Sequence, residues 1–336
     1  MPTVSVVIPT YNRAHCVAEA VQSVLRQTCT DFELLVIDDG STDRTEEVLQ
    51  PFMPRIRYMR QDNAGVSAAR NRGIRESRGR YVAFLDSDDE WFPDKLRVQM
   101  EAMQADPRLV AHTVNARVAD EVGRDDTSFS RCGFPRGSAA CGIVERPLSS
   151  QLKHSSLAMV QTVLCRREAA VAAGLFDEDL SICEDQDFLC RLALQGPWGY
   201  TWDVHAGIYR RNEQVVNLSS ARYSEPARLY ASLSKVCCRL LQHPAVSPAE
   251  RELVLAVLRN ALHGQGMALL RAGRFPEARN CLREACRIRW TPRSAVAGLL
   301  TWVPQLLLRQ LIRPATAREP VRADGPAPRP LQQVEH

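Results

Sequence analysis

The sequence predicts an α/β fold, a doubly wound and mostly parallel β-sheet flanked by helices, followed by an α-helical C-terminal extension. Three observations predict it. Short apolar runs alternate with helical patterns over the first 85 residues, several of these runs end in polar or acidic residues, and the pattern is wholly helical from about residue 225. Because strands that alternate with helices at this spacing form βαβ units, we expect a sheet that is mainly parallel.

The N-terminal part contains four predicted strands, of which the third is weaker; the apolar run of the fourth does not alternate, which is typical of a strand buried on both faces. They cover residues 4–8, 33–37, 56–60 and 81–85. Between them we expect a helix that Asn12 can cap, a short helix at 43–50 where Asp43 and Glu46 resemble a capping box, and a helix over 65–76.

The following residues continue the pattern less regularly. Helices are predicted over 93–104, 167–173 (closed by Gly174) and from 184, and strands over 111–118, 160–165 and 200–210. Residues 120–150 have no clear period, so we expect loops there. From 225 to 311 the pattern is helical, with Gly273 and Pro276 separating two helices of a hairpin. The predicted units are therefore 1–215, a helical extension over 216–312 and a proline-rich disordered tail over 313–336.

Composition narrows the class of protein. The net charge of +4 is modest, and we expect no nucleic-acid partner. The eleven cysteines include no C-x-x-C pair, which favours reduced thiols in a cytoplasmic protein. The N-terminus enters a strand at once, so no signal peptide is expected. The longest apolar run, 295–308, is interrupted and too short to span a bilayer.

The C-terminal helices are strongly basic. Between Arg239 and Arg313 there are twelve arginines against four acidic residues, and the 299–311 segment is rich in leucine and carries Trp302. Such a surface could lie on an anionic membrane. The alternative, which the pattern favours, is that these helices pack together and leave a solvated basic face.

Acidic residues follow the strand predicted at 81–85. Asp86 and Asp88 are two positions apart, so on an extended chain they share a face, and a turn could add Asp89. Ligands collect at the carboxyl ends of strands in open α/β sheets, and paired carboxylates suit a hard divalent cation held partly by substrate phosphates. The alternative is a solvated acidic turn. This stretch alone does not decide between them.

Several motifs occur in a fixed order along the chain: PTYNR at 9–13, DDGSTD at 38–43, GVSAARNRG at 65–73, FLDSDD at 84–89, GLFD at 174–177 and EDQD at 184–187. With this order and spacing, residues 1–215 resemble a family 2 glycosyltransferase with the GT-A fold. The resemblance implies transfer of a sugar from a nucleotide diphosphate donor, with a UDP-sugar expected, to a hydroxyl acceptor with inversion of configuration.

The resemblance also assigns residues. Thr10, Tyr11 and Arg13 leave the first strand where a nucleotide would lie, and the tyrosine ring could stack on a base or could simply pack in a loop. Asp39 would accept a hydrogen bond from a uracil N–H, while its neighbour Asp38 could equally cap the turn. Arg70 could offer its guanidinium to a phosphate or pair with a site aspartate.

The remaining assignments concern the reaction itself. Asp86 and Asp88 would match the D-x-D motif that binds Mg²⁺ or Mn²⁺, and Asp185 would be the general base. Glu184 would orient the site or cap its helix. One position departs from the family pattern: the segment Tyr209-Arg-Arg-Asn212 lacks the histidine often found after its arginines. Either Asn212 substitutes weakly for it, or Arg210 and Arg211 alone supply the phosphate contact.

The implied setting is synthesis of a surface polysaccharide or glycoconjugate, with a glycan, lipid-linked or protein acceptor. We expect a cytoplasmic enzyme, with peripheral attachment to the cytoplasmic face of the inner membrane as a further option. Two alternatives remain. One is a degenerate, non-catalytic sugar-nucleotide-binding protein. The other is a nucleotidyltransferase, which would need a lysine soon after the first strand, whereas the first lysine is Lys95.

Overall fold

A mixed ten-stranded sheet forms the centre of the protein in the computed structural model, which describes residues 2–119, 125–136, 139–154, 157–209, 225–290, 292, 296 and 299. The strands run in the order β3-β2-β1-β4-β9-β6-β10-β5, with β7 paired to β6 and β8 to β10. Their bounds are β1 Val4–Thr10, β2 Phe32–Asp38, β3 Arg57–Arg60, β4 Tyr81–Phe84, β5 Glu90–Trp91, β6 Ala111–Ala119, β7 Asp125–Thr127, β8 Cys141–Val144, β9 Val163–Arg166 and β10 Trp198–Tyr209.

The first four strands form the parallel half of the sheet. Strand β1 is central, with Val7 opposite Leu35 of β2 on one side and Phe84 of β4 on the other. The longest ladders, β1–β2 and β6–β10, are both parallel. The mostly parallel sheet predicted from the alternating pattern is thus confirmed.

Strand β9 is antiparallel to both of its neighbours, β4 and β6. Strands β4, β6 and β10 therefore run in the same direction, and their carboxyl ends lie at the same edge of the sheet. The strand expected over 160–165 begins later than predicted, because Val160–Thr162 form a 3-10 turn before β9.

Helices cover both faces of the sheet. Their bounds are α1 Val17–Leu25, α2 Thr45–Leu49, α3 Val66–Glu76, α4 Lys95–Ala105, α5 Ser128–Arg131, α6 Pro147–Lys153, α7 Arg167–Ala172, α8 Glu184–Leu192, α9 Pro226–Gln242, α10 Pro248–Arg271 and α11 Phe275–Ile288. One apolar core joins α3 and α8 to the face of β1 that carries Val7. A second core joins α1 and α4 to the opposite face, which carries Val6 and Ile8. Because successive side chains of a strand point to opposite faces, alternate residues of β1 supply the two cores.

Two local expectations are wrong. Asn12 does not cap α1, whose N-cap is Cys16; the Asn12 carboxamide oxygen accepts from the backbone N–H of Thr42 at 2.8 Å instead. Asp43 lies before the N-cap of α2, where its carboxylate accepts from the Thr45 backbone N–H at 3.0 Å, and no capping box forms. In both cases the side chain that local spacing had assigned to a helix end instead accepts a hydrogen bond in the turn after β2.

Residues 120–150, expected to be loops, contain regular structure in their described part. Strands β7 and β8 pair with β6 and β10, and helices α5 and α6 begin at Ser128 and Pro147. These elements are four residues long or shorter except α6. Such short elements hold too few residues to produce a detectable period.

The predicted C-terminal hairpin is present. Gly273 adopts φ +76° after α10, and the N–H groups of Gly273 and Arg274 donate to the carbonyls of Leu270 and Leu269, which closes the helix before α11. Helix α10 is long and apolar enough to cross a membrane, and 39% of its most apolar window is buried in the protein, where it packs against α9 and α11. Buried helices of ordinary globular proteins share these properties. The segment 300–312 and the tail 313–336 lie outside the described residues.

Candidate active site

The chain turns sharply after β4 at the carboxyl edge of the sheet. The backbone N–H of Asp89 donates to the carbonyl of Asp86 at 3.0 Å. This turn directs Asp89 inward, where its buried carboxylate accepts from Gln161 Nε2 at 2.9 Å. Asp86 and Asp88 remain partly exposed. The turn therefore separates the two aspartates of the D-x-D motif from the third acidic residue.

Arg70, on α3, lies beneath this turn. Its Nη2 donates to Asp86 Oδ1 at 2.7 Å and its Nη1 to Glu184 Oε1 at 3.1 Å. The guanidinium also lies over the ring of Phe176, 5.2 Å from the centroid. Burial opposes its charge, but the carboxylates of Asp86 and Glu184 outweigh burial and raise the pKa of Arg70. Arg70 was expected either to bind a phosphate or to pair with a site aspartate. In the structure it forms the ion pair, with Asp86.

Glu184 and Asp185 open helix α8 directly after Cys183, which adopts the left-handed conformation at φ +65°. Glu184 is buried, whereas Asp185 is partly exposed and accepts from the backbone N–H of Gln186 at 2.7 Å. Burial and the adjacent charge of Asp185 raise the pKa of the Glu184 carboxyl, against the opposing effect of Arg70. No side chain caps the helix, so the capping role considered for Glu184 is wrong.

The GLFD segment at 174–177 contacts both α3 and α8. Asn71, next to Arg70 on α3, accepts from the backbone N–H of Phe176 at 2.8 Å and donates to its carbonyl at 2.9 Å. The ring of Phe176 stacks on Phe188 of α8 with 4.1 Å between centroids. Glu184 was expected to orient the site, whereas Asn71 and Phe176 are contributors to which sequence reasoning gave no role there. Their only sequence signal is that they lie within the GVSAARNRG and GLFD motifs, because the two residues are 105 positions apart along the chain.

The ends of β1 and β2 lie beside one another, with Thr10 opposite Asp38. Thr10 is buried, and its hydroxyl has no hydrogen-bond partner in the described part of the protein. Tyr11 is 44% exposed, so its ring is accessible for stacking on a ligand. Arg13 is partly buried, and its backbone N–H donates to Thr45 Oγ1 at 3.0 Å.

The two aspartates after β2 have different partners. Asp38 accepts from the backbone N–H of Ser41 and the hydroxyl of Tyr58, both at 2.7 Å, so it stabilises the turn. Asp39 Oδ1 accepts from Gln61 Nε2 at 2.8 Å and from the Ala64 N–H at 3.0 Å. Its Oδ2 accepts from the Gly65 N–H at 2.8 Å. Asp39 therefore holds the loop that leads into α3, and Oδ2 retains capacity for a further donor.

The predicted site residues form two groups in the structure. Contacts join Arg70, Asp86 and Glu184, with Asp185 adjacent to Glu184 on α8. Thr10 and Asp39 occupy the neighbouring strand ends, and Leu85, just before Asp86, donates its N–H to the carbonyl of Val7 on β1. His205, the histidine nearest to Asn212 in the sequence, has its Nδ1 2.8 Å from Asp94 Oδ1. Arg210, Arg211 and Asn212 lie outside the described residues.

The carboxylates of Asp86 and Asp88 are hard oxygen donors of the kind that Mg²⁺ and Mn²⁺ accept. Within the described ranges, no group of three or more His, Cys, Asp or Glu side chains is arranged to hold a metal ion. The two aspartates therefore fit a cation that takes its other ligands from water and from the phosphates of a substrate, rather than one enclosed by protein side chains.

Comparison with known sequences gives a consistent result. Residues 5–150 match the model of Glycosyl transferase family 2. The uncharacterised glycosyltransferase EpsJ of Bacillus subtilis is 31% identical over 232 residues, which are 63% of this chain and 62% of that protein. The chondroitin synthase of Escherichia coli is 38% identical over 202 residues, which are 59% of this chain and 27% of that protein. The chain spans only 21% to 62% of the length of the first curated relatives that it matches.

Comparison with solved structures shows the same fold. The 1–349 segment of TarS from Staphylococcus aureus, in complex with UDP-GlcNAc, superposes with a TM-score of 0.67 over 88% of this chain and 84% of that chain, at 20% identity. The mannosyltransferase PcManGT from Pyrobaculum calidifontis, in complex with GDP-Man and Mn²⁺, has a TM-score of 0.51 over 89% and 84% of the two chains, at 19% identity. The expected GT-A-type arrangement of sheet and helices is confirmed.

Proposed function

Because residues 5–150 match the model of Glycosyl transferase family 2, we propose that the chain is an inverting glycosyltransferase of that family. It transfers a sugar from a nucleotide diphosphate donor, a UDP-sugar, to a hydroxyl acceptor. The observation that carries the proposal is the contact of Arg70 with both Asp86 and Glu184, since it joins the metal motif to the helix that bears Asp185.

The donor assignment rests on the ends of β1 and β2. Two proteins of the same fold bind nucleoside diphosphate sugars, TarS UDP-GlcNAc and PcManGT GDP-Man. In this chain the exposed ring of Tyr11 is available to stack on the base, and Asp39 Oδ2 to accept from a uracil N–H. Thr10, whose buried hydroxyl has no hydrogen-bond partner among the described residues, and Arg13 belong to the same donor region.

The leaving group departs next to the carboxyl end of β4. A divalent cation, Mg²⁺ or Mn²⁺, held by Asp86 and Asp88 would neutralise the charge that develops on the diphosphate. Arg70 holds Asp86 Oδ1, which leaves Oδ2 as the candidate ligand. The guanidinium of Arg70 adds positive charge on the same side, where charge stabilisation is most effective in a site closed to water.

Asp185 acts on the acceptor. Its partly exposed carboxylate takes the proton of the acceptor hydroxyl as that oxygen bonds to the anomeric carbon, and the bond from this carbon to the diphosphate oxygen breaks. Glu184 is unsuited to the role because it is buried and paired with Arg70. A single displacement of this kind inverts the anomeric configuration.

We place the reaction in the cytoplasm, in synthesis of a surface polysaccharide or glycoconjugate, with a glycan, lipid-linked or protein acceptor. A polysaccharide setting is supported by the likeness to chondroitin synthase. Attachment of the basic C-terminal helices to an anionic membrane surface is part of the same proposal, and its test is sedimentation of the full chain with phosphatidylglycerol vesicles but not with phosphatidylcholine vesicles.

Release of UDP from a panel of UDP-sugars tests the proposal, with the wild type, Asp185→Asn and the matched control Asp179→Asn at an exposed position. We expect Asp185→Asn to bind UDP normally and to lose transfer by about 10²- to 10⁴-fold. Full activity of Asp185→Asn would refute the base assignment. UDP binding without release from any sugar would favour the degenerate binding protein, and release of pyrophosphate would favour a nucleotidyltransferase.

A further inference from the structure

The C-terminal extension contacts the candidate site through one arginine. Arg239, on α9, donates from Nη1 to both carboxylate oxygens of Asp187 on α8, each at 3.0 Å. Its Nη2 donates to Asp177, the last residue of the GLFD segment. Arg239 thus connects the extension to both motifs that surround Asp185.

Asp187 is 1% exposed, so its charge needs compensation inside the protein. Arg191 donates from Nε to Asp187 Oδ2 at 2.9 Å, and Arg239 provides the second cation. Three acidic residues lie in the first turn of α8, namely Glu184, Asp185 and Asp187. Arg70 neutralises the first and the Arg191–Arg239 pair the last, and Asp185 lies between them.

The residues of the first turn of α8 do not fix its position by their own contacts alone. Cys183 at φ +65° and Leu175 at φ +61° are non-glycine residues in the left-handed region, a conformation that persists only where surrounding contacts enforce it. The N-cap Cys183 makes no side-chain capping bond. Contacts from other elements must therefore fix the position of Glu184 and Asp185.

Apolar packing supports the connection. Val236, Cys237 and Leu240 of α9 share one buried core with Phe188 and Leu189 of α8. Arg239 lies among these residues on α9, so the polar and apolar contacts bind the two helices over the same stretch.

We propose that Arg239 is a positioning residue through which the helical extension fixes the first turn of α8 and thereby the carboxylate of Asp185. This inference rests on the proposed function for the role of Asp185. Within the part of the chain that the structure describes, Arg239 bonds to Asp187 and Asp177 and not to Asp185, so it acts through these two carboxylates.

The experiment compares full-length Arg239→Met with Lys235→Met, which removes a charge from an exposed position of the same helix. Three quantities are measured: UDP affinity, the kcat of UDP release from the best donor of the panel, and amide hydrogen exchange of residues 184–192. For Arg239→Met we expect UDP affinity within twofold of wild type, a kcat at least tenfold lower, and exchange at least tenfold faster in α8 but unchanged in β1.

Arg239→Lys should recover part of both losses, because an ammonium keeps the charge but not the two-carboxylate fork. The inference is overturned if Arg239→Met matches Lys235→Met in kcat and in α8 exchange. It is also overturned if β1 loses protection together with α8, since that indicates a global effect. A wild type that binds UDP but releases none from any sugar refutes the proposed function alone, and the exchange measurement then still decides whether Arg239 fixes α8.

Discussion

Arg70 and Glu184 are separated by 114 positions in the sequence, yet Nη1 of the arginine lies 3.1 Å from Oε1 of the glutamate and both side chains are buried. The same guanidinium binds Asp86, so a single arginine connects the end of β4, with its D-x-D sequence, to the helix that carries Asp185. The relative position of the turn after β4 and the first turn of α8 therefore depends on Arg70.

Replacement of Arg70 by methionine should be strongly destabilising. Glu184 would keep its burial and lose its cation, and breaking a buried pair in this way costs on the order of 3–5 kcal/mol. Its folded-state pKa, already raised, would rise further above the unfolded value. The destabilisation should thus be smallest below about pH 4, where Glu184 is protonated in both states, and should grow as the pH rises through the folded pKa. Urea unfolding between pH 4 and pH 8 measures this.

Arg75→Met is the matched control, because Arg75 lies on the same helix with a side chain that is 60% exposed. We expect its free energy of unfolding to stay within about 0.5 kcal/mol of wild type. Arg70→Met with wild-type stability at pH 7 would show that Glu184 does not depend on this contact.

Metal removal should separate the three aspartates of the β4 turn. EDTA should abolish UDP release and Mn²⁺ or Mg²⁺ should restore it. Asp88→Asn should raise the Mn²⁺ concentration needed for half-maximal activity at least tenfold, because a carboxamide is a weaker ligand than a carboxylate. Titration of EDTA-treated protein with Mn²⁺ gives these values.

Asp89→Asn provides the comparison, since Asp89 is buried and accepts from Gln161, whereas Asp86 and Asp88 are partly exposed. Its Mn²⁺ requirement should stay near that of wild type. Two results would contradict the assignment of the D-x-D pair. One is an equal increase in the Mn²⁺ requirement of Asp88→Asn and Asp89→Asn, and the other is UDP release that persists in EDTA.

Asp39→Asn should weaken UDP binding at least tenfold. The carboxylate accepts from Gln61, Ala64 and Gly65, and an amide group would direct a donor towards one of these N–H groups. The loop before α3 should loosen, and the acceptor for a uracil N–H would be lost. Calorimetric titration with UDP measures the change. Asp62→Asn, at an exposed position in the same loop, should bind UDP like wild type, and equal affinities for all three proteins would exclude a role of Asp39 at the donor.

The parts of the fold that sequence predicted are those with local causes. The runs that became β1, β2 and β4 are buried on both faces, so their apolar residues are continuous and their ends are marked by polar residues. Glycine at positive φ marks the ends of α7 and α10 for an equally local reason. Strand β5 consists only of Glu90 and Trp91 and exists because β10 pairs with it, which no local pattern shows.

In the candidate site, too, some residues could be predicted from local sequence and others depend on contacts formed by folding. Asp86, Asp88 and Asp185 could be predicted because each lies in a recognisable short motif. The contacts around them could not, since the pairs Arg70–Glu184, Asn71–Phe176 and Arg239–Asp187 are brought together only by folding. Asn12 illustrates the reverse error: its spacing suits a helix cap, but the turn at Thr42 offered N–H groups that its carboxamide satisfies instead.

Lys95 is fully buried, and its amine donates to Gln99 Oε1 at 2.7 Å and lies 3.8 Å from the centre of the Trp91 ring. Burial holds the pKa of this amine well below its usual range. The ring contact favours the charged form, but desolvation of a fully buried ammonium outweighs one such contact. Burial therefore shifts the protonation equilibrium of Lys95 towards the neutral amine in the folded protein, whereas the amine is charged in the unfolded chain at pH 7.

A lowered folded-state pKa means that the unfolded chain binds the additional proton, so Lys95 reduces stability below the unfolded pKa of about 10.4. Lys95→Met keeps the side-chain length but removes the amine that binds this proton. We expect it to increase the free energy of unfolding at pH 7 by on the order of 1–2 kcal/mol, after the loss of the Gln99 hydrogen bond. The gain should shrink as the pH approaches 10. Thermal unfolding of Lys95→Met and of the exposed control Lys153→Met at pH 7 and pH 10 measures this difference, and a loss of stability in Lys95→Met at both values would show that the buried amine is charged.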